Sequence, residues 1–459
     1  MKPRSRRSRD VPADPHDPAG TSPDVREQPQ DVSETSGRGR PKVERPEVER
    51  PEVERPEFEQ PMAKRPEVKR PKVGRPEIEQ AEFEQRASKR PGVKRPGVKR
   101  PWGKRPWVMG KGLPQTAGQA RLRPVSLAVA VALLAAALLA GVLVGSAGLP
   151  VGGVLKALAG RLPFVHIDSG LSVIDENILF ELRVPRALMA ALVGGMLAMA
   201  GAGYQGVFRN PLADPYLLGA AAGAGVGATL VIVVVPGDPG YAVPLAAFVG
   251  AISGVFLAYV LGGTAGSGNG AATLVLAGVA VSSFLAAVQT FLQQVKTEEL
   301  QRIFSWLLGG VGSADWHQLA LIAPYSLVST AVLLAHGRLL DVLSVGDEEA
   351  ASLGLSASRV RMTVLVAASL ATACAVAVSG LIGFVGIVVP HLVRRLAGGS
   401  YRVVLPLSLL GGAAFLAVAD LAARTVIAPA EVPLGVVTAF VGGPFFVAVL
   451  RASRRQVET

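Results

Sequence analysis

Cysteine is almost missing from this 459-residue chain: Cys374 is the single one, and it lies inside an apolar run. One thiol builds neither a disulfide framework nor a cysteine metal site within a chain, and its simplest reading is a small buried side chain. No G-x-x-x-x-G-K-[S/T] phosphate loop occurs. The Gly-rich stretches 219–227 (GAAAGAGVG) and 262–270 (GGTAGSGNG) lack the Lys that would reach a nucleotide phosphate, so any ATP hydrolysis belongs to another chain. None of the five histidines has a ligand partner at helical zinc spacing. The chain shows no enzyme active site, and no metal or cofactor is expected.

Charge is also scarce beyond position 124. Residues 1–124 hold 30 of the 47 Lys and Arg and 19 of the 35 acidic residues, so nearly all of the net +12 sits in this tail. A basic chain ordinarily raises nucleic acid as a partner. From Ser126 onward, however, Ala, Leu, Val and Gly dominate in runs long enough to cross a hydrocarbon core of about 30 Å. That composition excludes nucleic acid and points to a membrane.

From about Gly39 to Trp107 a five-residue theme repeats, as in RPEVERPEVERPEFEQ (45–60), KRPEVKRPKVGRPEIEQ (64–80) and KRPGVKRPGVKRPWGKRPW (89–107). Proline at every fifth position removes backbone donors and forbids a continuous helix, and one Val or Phe per repeat builds no core. Residues 1–121 therefore read as a disordered, polyproline-biased extension. No apolar segment follows the early charges as a secretory signal would require. Its last part is almost purely basic and ends in Trp102 and Trp107, which suits contact with anionic membrane lipids; a solvated spacer is the alternative.

Ten apolar runs follow, near 126–147, 187–205, 216–235, 243–262, 273–293, 318–336, 361–380, 382–393, 403–422 and 435–451. The expected fold is an all-α polytopic bundle of about ten transmembrane helices over 122–455. The eighth run is short and contains Pro390, which predicts a broken or half-length helix buried among neighbours. Small residues at four-residue spacing, Gly194/Ala198, Gly219/Gly223/Gly227 and Gly250/Gly254, predict close helix contacts. Arg121, Arg123, Arg338, Arg359, Arg361, Arg394, Arg395, Arg402 and Arg451 fall on one side for an even count, which puts both termini in the cytoplasm. Arg183, Arg186 and Arg424 then fall on the opposite side, against the rule.

Polar islands mark the ends of these runs: RVPR (183–186), RNPLADPYLLGAAAGAGVG (209–227), LAGVAVSS (276–283), WLLGG (306–310), SVGDEEAASLGL (344–355), SGLIGFVGIVVPHLVR (379–394) and ADLAARTVIAPAEVPLGVVTAFVGGPFF (419–446). In order and spacing they resemble the FecCD-type permeases of bacterial ABC importers for iron siderophores, haem and vitamin B12, over residues 122–455. The resemblance implies a cell-membrane subunit that pairs with a second permease copy or homologue, two ABC ATPase subunits and an extracytoplasmic substrate-binding protein.

It also implies residue roles. Arg183, Arg186 and Arg424 match arginines that dock glutamates of the binding protein, which would explain cations on the wrong side; snorkelling at the interface is the alternative. The stretch 344–361, with Gly346, Asp347, Glu348, Glu349, Ala351, Leu353 and Gly354, matches two short coupling helices that sit in a groove of the ATPase. Arg209, Asn210, Pro211, Asp214 and Pro215 match a structural turn near the cytoplasmic side. Ala277, Gly278, Ser282 and Ser283 match the translocation path and its gate, although Ser in a membrane helix commonly bonds the preceding turn. Pro390, His391 and Glu431 sit in motifs that support packing or interface geometry. Asp420 lies within a span, and a proton-coupled secondary transporter, the rival reading, would need such intramembrane ionisable groups.

Overall fold

The computed structural model describes residues 122–458 apart from 146, 165–166, 238 and 265–270. The expected extension over 1–121 lies outside the described residues. Among the described residues every regular element is a helix: α1 (Pro124–Leu143), α2 (Val151–Gly160), α3 (Val173–Asn177), α4 (Val184–Phe208), α5 (Ala220–Val234), α6 (Ala242–Thr264), α7 (Ala271–Val295), α8 (Leu300–Leu307), α9 (Trp316–Ala335), α10 (Gly337–Val345), α11 (Asp347–Ser352), α12 (Ala357–Ser379), α13 (Val385–Ala397), α14 (Tyr401–Thr425) and α15 (Leu434–Glu458).

The helix starts follow local chemistry. Pro124 opens α1, where a missing N–H costs nothing. Asp315 caps α9 by accepting the Gln318 N–H at 2.7 Å. The α3 helix passes through a π-helical turn, Ile178–Arg183, directly into α4. Arg209 ends α4 in the left-handed conformation.

All ten apolar runs are helical. Among the described residues, seven stretches are long and apolar enough to cross a membrane by length and composition, and α5, α13 and the apolar part of α15 are shorter. The eighth run is half-length as expected, but Pro390 does not interrupt it. The helix begins at Val385 and continues through Pro390, and the break lies before it, at residues 380–384. Tyr216 serves that irregular backbone: its hydroxyl donates to the Ile382 carbonyl at 3.0 Å and accepts the Ile382 N–H at 3.2 Å. Non-helical backbone at membrane depth survives where protein satisfies it in this way.

The chain from α3 to α4 is the hub, with 83% of its apolar window buried, against 11% for α7. Small residues place backbones in direct contact around it. A Cβ at Gly194 would overlap the Gly412 carbonyl oxygen of α14, and one at Gly201 would overlap Gly386 of α13. Gly223 of α5 and Gly250 of α6 meet in the same way. Without a hydrophobic force between helices in lipid, such close approach supplies the packing. Cys374 is fully buried in α12.

Candidate functional site

Most of the candidate site residues gather at the two ends of α4. Arg183 and Arg209 flank its 25 residues and, at a rise of about 1.5 Å per residue, lie about 39 Å apart.

At the Arg183 end, α4 and α14 bring three arginines and two carboxylates together. The Arg186 Nε and Nη2 donate to Asp420 Oδ1 at 3.0 and 2.9 Å, while Nη1 and Nη2 donate to Glu431 at 2.8 and 2.9 Å. Arg424 Nε approaches Asp420 Oδ2 at 3.4 Å. The Asp420 side chain is 3% exposed and the Glu431 side chain 48%. Beside them lies a cavity of about 190 Å³, walled by Gly309–Gly312 and by Val432 and Pro433. The Arg186 hydrogen bonds hold the Glu431 carboxyl below the usual carboxylate range.

The three arginines thus meet at one end, but their side chains turn inward rather than outward as expected. Arg183 is buried and donates through Nη1 to the carbonyls of Val142 and Leu143, both at 3.1 Å, and through Nη2 to the Ala147 carbonyl. Arg424 is buried and donates to the Gly141 carbonyl. Both guanidiniums therefore satisfy orphan carbonyls at the end of α1, where a cation also complements the helix dipole. In this cluster, the half-exposed charge is that of Glu431.

At the Arg209 end the motif residues form a tight turn. Asn210 Oδ1 accepts the Leu212 N–H at 2.9 Å, Asp214 Oδ1 accepts the Tyr216 N–H at 2.8 Å, and Pro215 packs on Gly386. Pro211 starts the intervening turn. Arg209 reaches out of this turn, donating to the Leu343 carbonyl at 2.8 Å and to Asp347.

Two short helices, α10 and α11, follow α9 at this end. Of the two short helices expected within 344–361, only α11 lies inside those bounds; the other short helix, α10, precedes them at Gly337–Val345, because that stretch leaves the span after His336 and buries Leu340 and Leu343. Gly346 separates the two helices and Gly354, at φ 75°, ends the second turn. Ala350 is buried, whereas Glu348, Glu349, Ala351, Val345 and Leu353 face solvent. Asp347 is half-exposed and paired with Arg209 and, at 2.6 Å, with Arg361. Chiefly through the Arg361 hydrogen bond, its carboxyl stays below the usual range.

The α7 residues Ala277 and Ser282 are half-buried and Ser283 is exposed, its hydroxyl donating back to the Val279 carbonyl at 2.9 Å. Gly278 is buried because α7 crosses the Pro215–Leu218 turn there; a Cβ would overlap the Leu217 carbonyl. His391 stands edge-on to Phe445, with ring centroids 5.6 Å apart.

Two long-range contacts at these ends have no counterpart in the sequence reading. Asp341 Oδ1 accepts the Tyr401 N–H at 2.5 Å and its Oδ2 accepts the Ser400 hydroxyl at 2.7 Å, so α10 caps α14. Tyr216 supports the broken segment before α13. Neither has a local signature, since each partner is at least 59 positions away.

The FecCD transport family matches over residues 133–452. The chain is 38% identical to the uncharacterized ABC transporter permease protein YvrB of Bacillus subtilis, covering 70% of this chain and 92% of that protein. It is 41% identical to the cobalamin import system permease protein BtuC of Halobacterium salinarum, covering 67% and 80%. Among solved structures, one described as an inward-facing conformation of a metal-chelate type ABC transporter aligns with a TM-score of 0.61 at 29% identity, covering 72% of this chain and all of the other. With that family matched over residues 133–452 and seven apolar stretches of membrane-crossing length among the described residues, this multi-pass membrane chain belongs to the FecCD transport family of ABC permeases.

Proposed function

We propose that the chain is the path-forming permease subunit of a binding-protein-dependent importer for an iron(III)-siderophore or a related metal chelate, haem and cobalamin included. It works by alternating access in the cell membrane with both termini in the cytoplasm. The observation that carries this reading is the solvent-facing tip of α10 and α11. Between two spans, a helix pair exposes Val345 and Leu353 beside Glu348 and Glu349, and is anchored behind by buried Leu340, Leu343 and Ala350. An apolar knob ringed by charge fits a groove on a soluble partner, here each of two ATPase subunits.

At the other end, the Arg186–Glu431 pair forms the rim on which an acidic binding protein docks, with Arg183 and Arg424 holding the rim from beneath. The path runs beside α7, past Ala277, Gly278, Ser282 and Ser283, between this chain and a second permease subunit, identical or homologous. The rival proton-coupled carrier needs an intramembrane carboxyl free to take up protons, and Asp420 is engaged by Arg186 and Arg424.

The test is a cysteine at Ala351, which is exposed on α11. In membranes holding the whole importer, a short bifunctional reagent is expected to link it to the ATPase. If the ATPase copurifies but no link forms, the pair α10–α11 is a free loop and the reading is wrong.

A further inference from the structure

The proposed docking tip needs a mechanical connection to the membrane helices, and two aspartates supply it. Asp347 grips Arg209, at the end of α4, and Arg361, at the start of α12. This pin is half-exposed, and exposed ion pairs are weak and screened by salt. Asp341 makes the stronger connection. The N-cap residue of α14, Ser400, makes no side-chain cap to its own helix. The α14 N-terminus instead takes its acceptor from α10: Asp341 receives both the Tyr401 N–H and the Ser400 hydroxyl. A carboxylate on helix N–H groups is a charge-assisted bond favoured by the helix dipole. Around it, Gly337 of α10 lies against Tyr401 and Arg402, and the Tyr401 ring is buried beneath Arg394.

What α14 carries to its other end is equally specific. It runs antiparallel to α4, and the two touch backbone to backbone at Gly194 and Gly412, with no flexible side chain between them. At the far ends of the same two helices stand Arg186 and Asp420, bonded to each other and, through Arg186, to Glu431. A displacement of α10 therefore reaches the Arg186–Glu431 rim through a pair of rigid elements joined at both ends and in the middle.

We propose that Asp341 is a positioning residue for transport: it pins the coupling segment to α14, so that events at the ATPase end and at the binding-protein end are linked through the α4–α14 pair. The inference rests on the docking roles assigned above. It predicts that Asp341 governs how strongly the two ends communicate.

The experiment uses the complete importer in proteoliposomes and reads the ratio of ATP hydrolysis with and without binding protein. Asp341→Ala is expected to lower that ratio at least about fivefold, the low end of typical coupling between sites. Asp341→Asn keeps an oxygen for the Tyr401 N–H but loses the charge assistance, and is expected to recover part of that loss, falling between Asp341→Ala and the unaltered chain, which a role carried by charge alone would not give. Ser400→Ala removes one of the two contacts in a chain that keeps its carboxylate; a measurable fall is expected, and it decides the matter if Asp341→Ala is not recovered from membranes. An unchanged ratio in Asp341→Ala or, failing that variant, in Ser400→Ala overturns the proposal, as does equal loss in the Ala and Asn variants. Failure of the unaltered chain to copurify with an ATPase would instead overturn the docking reading itself.

Discussion

Arg186 and Asp420 lie 234 positions apart and share a bidentate ion pair, with Nε and Nη2 at 3.0 and 2.9 Å from one carboxylate oxygen. The pair fastens the start of α4 to the last turns of α14 where both carry charge into an apolar bundle. Removing one partner of a buried pair leaves the other uncompensated, which costs about 3–5 kcal/mol. Asp420→Ala, which takes the carboxylate from buried Arg424 and leaves Arg186 with Glu431 alone, is expected to lose stability toward the low end of that scale. Asp420→Asn, still an acceptor, is expected to lose less and to retain uptake. Thermal unfolding in detergent measures the first, and an unchanged midpoint for the Ala variant would show the pair to be incidental.

The α4–α14 contact makes a second prediction. Glycine to alanine in a helix ordinarily gains about 0.5–1 kcal/mol. At Gly194 the added methyl would overlap a backbone carbonyl, which cannot rotate away, and overpacking costs about 1–3 kcal/mol or more. At Gly152 in α2 nothing lies within 4 Å. Gly194→Ala should therefore lower the unfolding temperature while Gly152→Ala leaves it unchanged or raises it. Equal effects in the two would mean that the helices do not meet as described.

The helical bundle was legible because membrane helices announce themselves by length and composition, and because small-residue spacing marked Gly194, Gly223 and Gly250 as contact points. The charged ends were less legible. Arg183, Arg186 and Arg424 were recognisable as misplaced cations, but the pattern cannot tell an arginine that faces a partner from one that caps the carbonyls of α1, because the partner is backbone. Asp347 stood in a run of three acids, yet of the three only Glu348 and Glu349 stay unpaired by basic side chains among the described residues, while Asp347 pairs with Arg209 and Arg361. Asp341 was invisible for the same reason: the N-terminus it caps belongs to a helix 60 positions further on.

Acid should loosen the Asp347 pin. Its folded pKa is depressed below the ordinary value of 3.8, chiefly by the Arg361 hydrogen bond. A depressed carboxylate contributes stability that is complete above the unfolded pKa and is lost as pH falls through the lower, folded value. The pin is thus intact at neutral pH and opens only in strong acid. Arg361→Gln should move the protonation of Asp347 upward toward its ordinary value, read by NMR of a carboxyl-labelled chain. No movement would mean that the two side chains are not paired in the membrane-embedded protein.

The arginines at the opposite end should separate by role. Arg183 donates to the Val142 and Leu143 carbonyls that close α1 and to the Ala147 carbonyl beyond it, so Arg183→Glu places a carboxylate against carbonyl oxygens and a helix C-terminus. Its main effect should be on stability and on the amount of folded chain in the membrane. Arg186 is 14% exposed and shares its bonds between buried Asp420 and half-exposed Glu431, so only its Glu431 side can be offered to another protein. Glu431→Gln removes the charge that competes for that side while leaving Asp420 in place. If an acidic binding protein docks here, Glu431→Gln should raise its affinity, mainly through a faster association that weakens with salt, because charge complementarity acts on encounter. Surface plasmon resonance against the permease in nanodiscs measures this directly. An association rate independent of both the Glu431 charge and ionic strength would remove the rim from the docking surface and leave all three arginines with the structural work of closing α1 and holding α14.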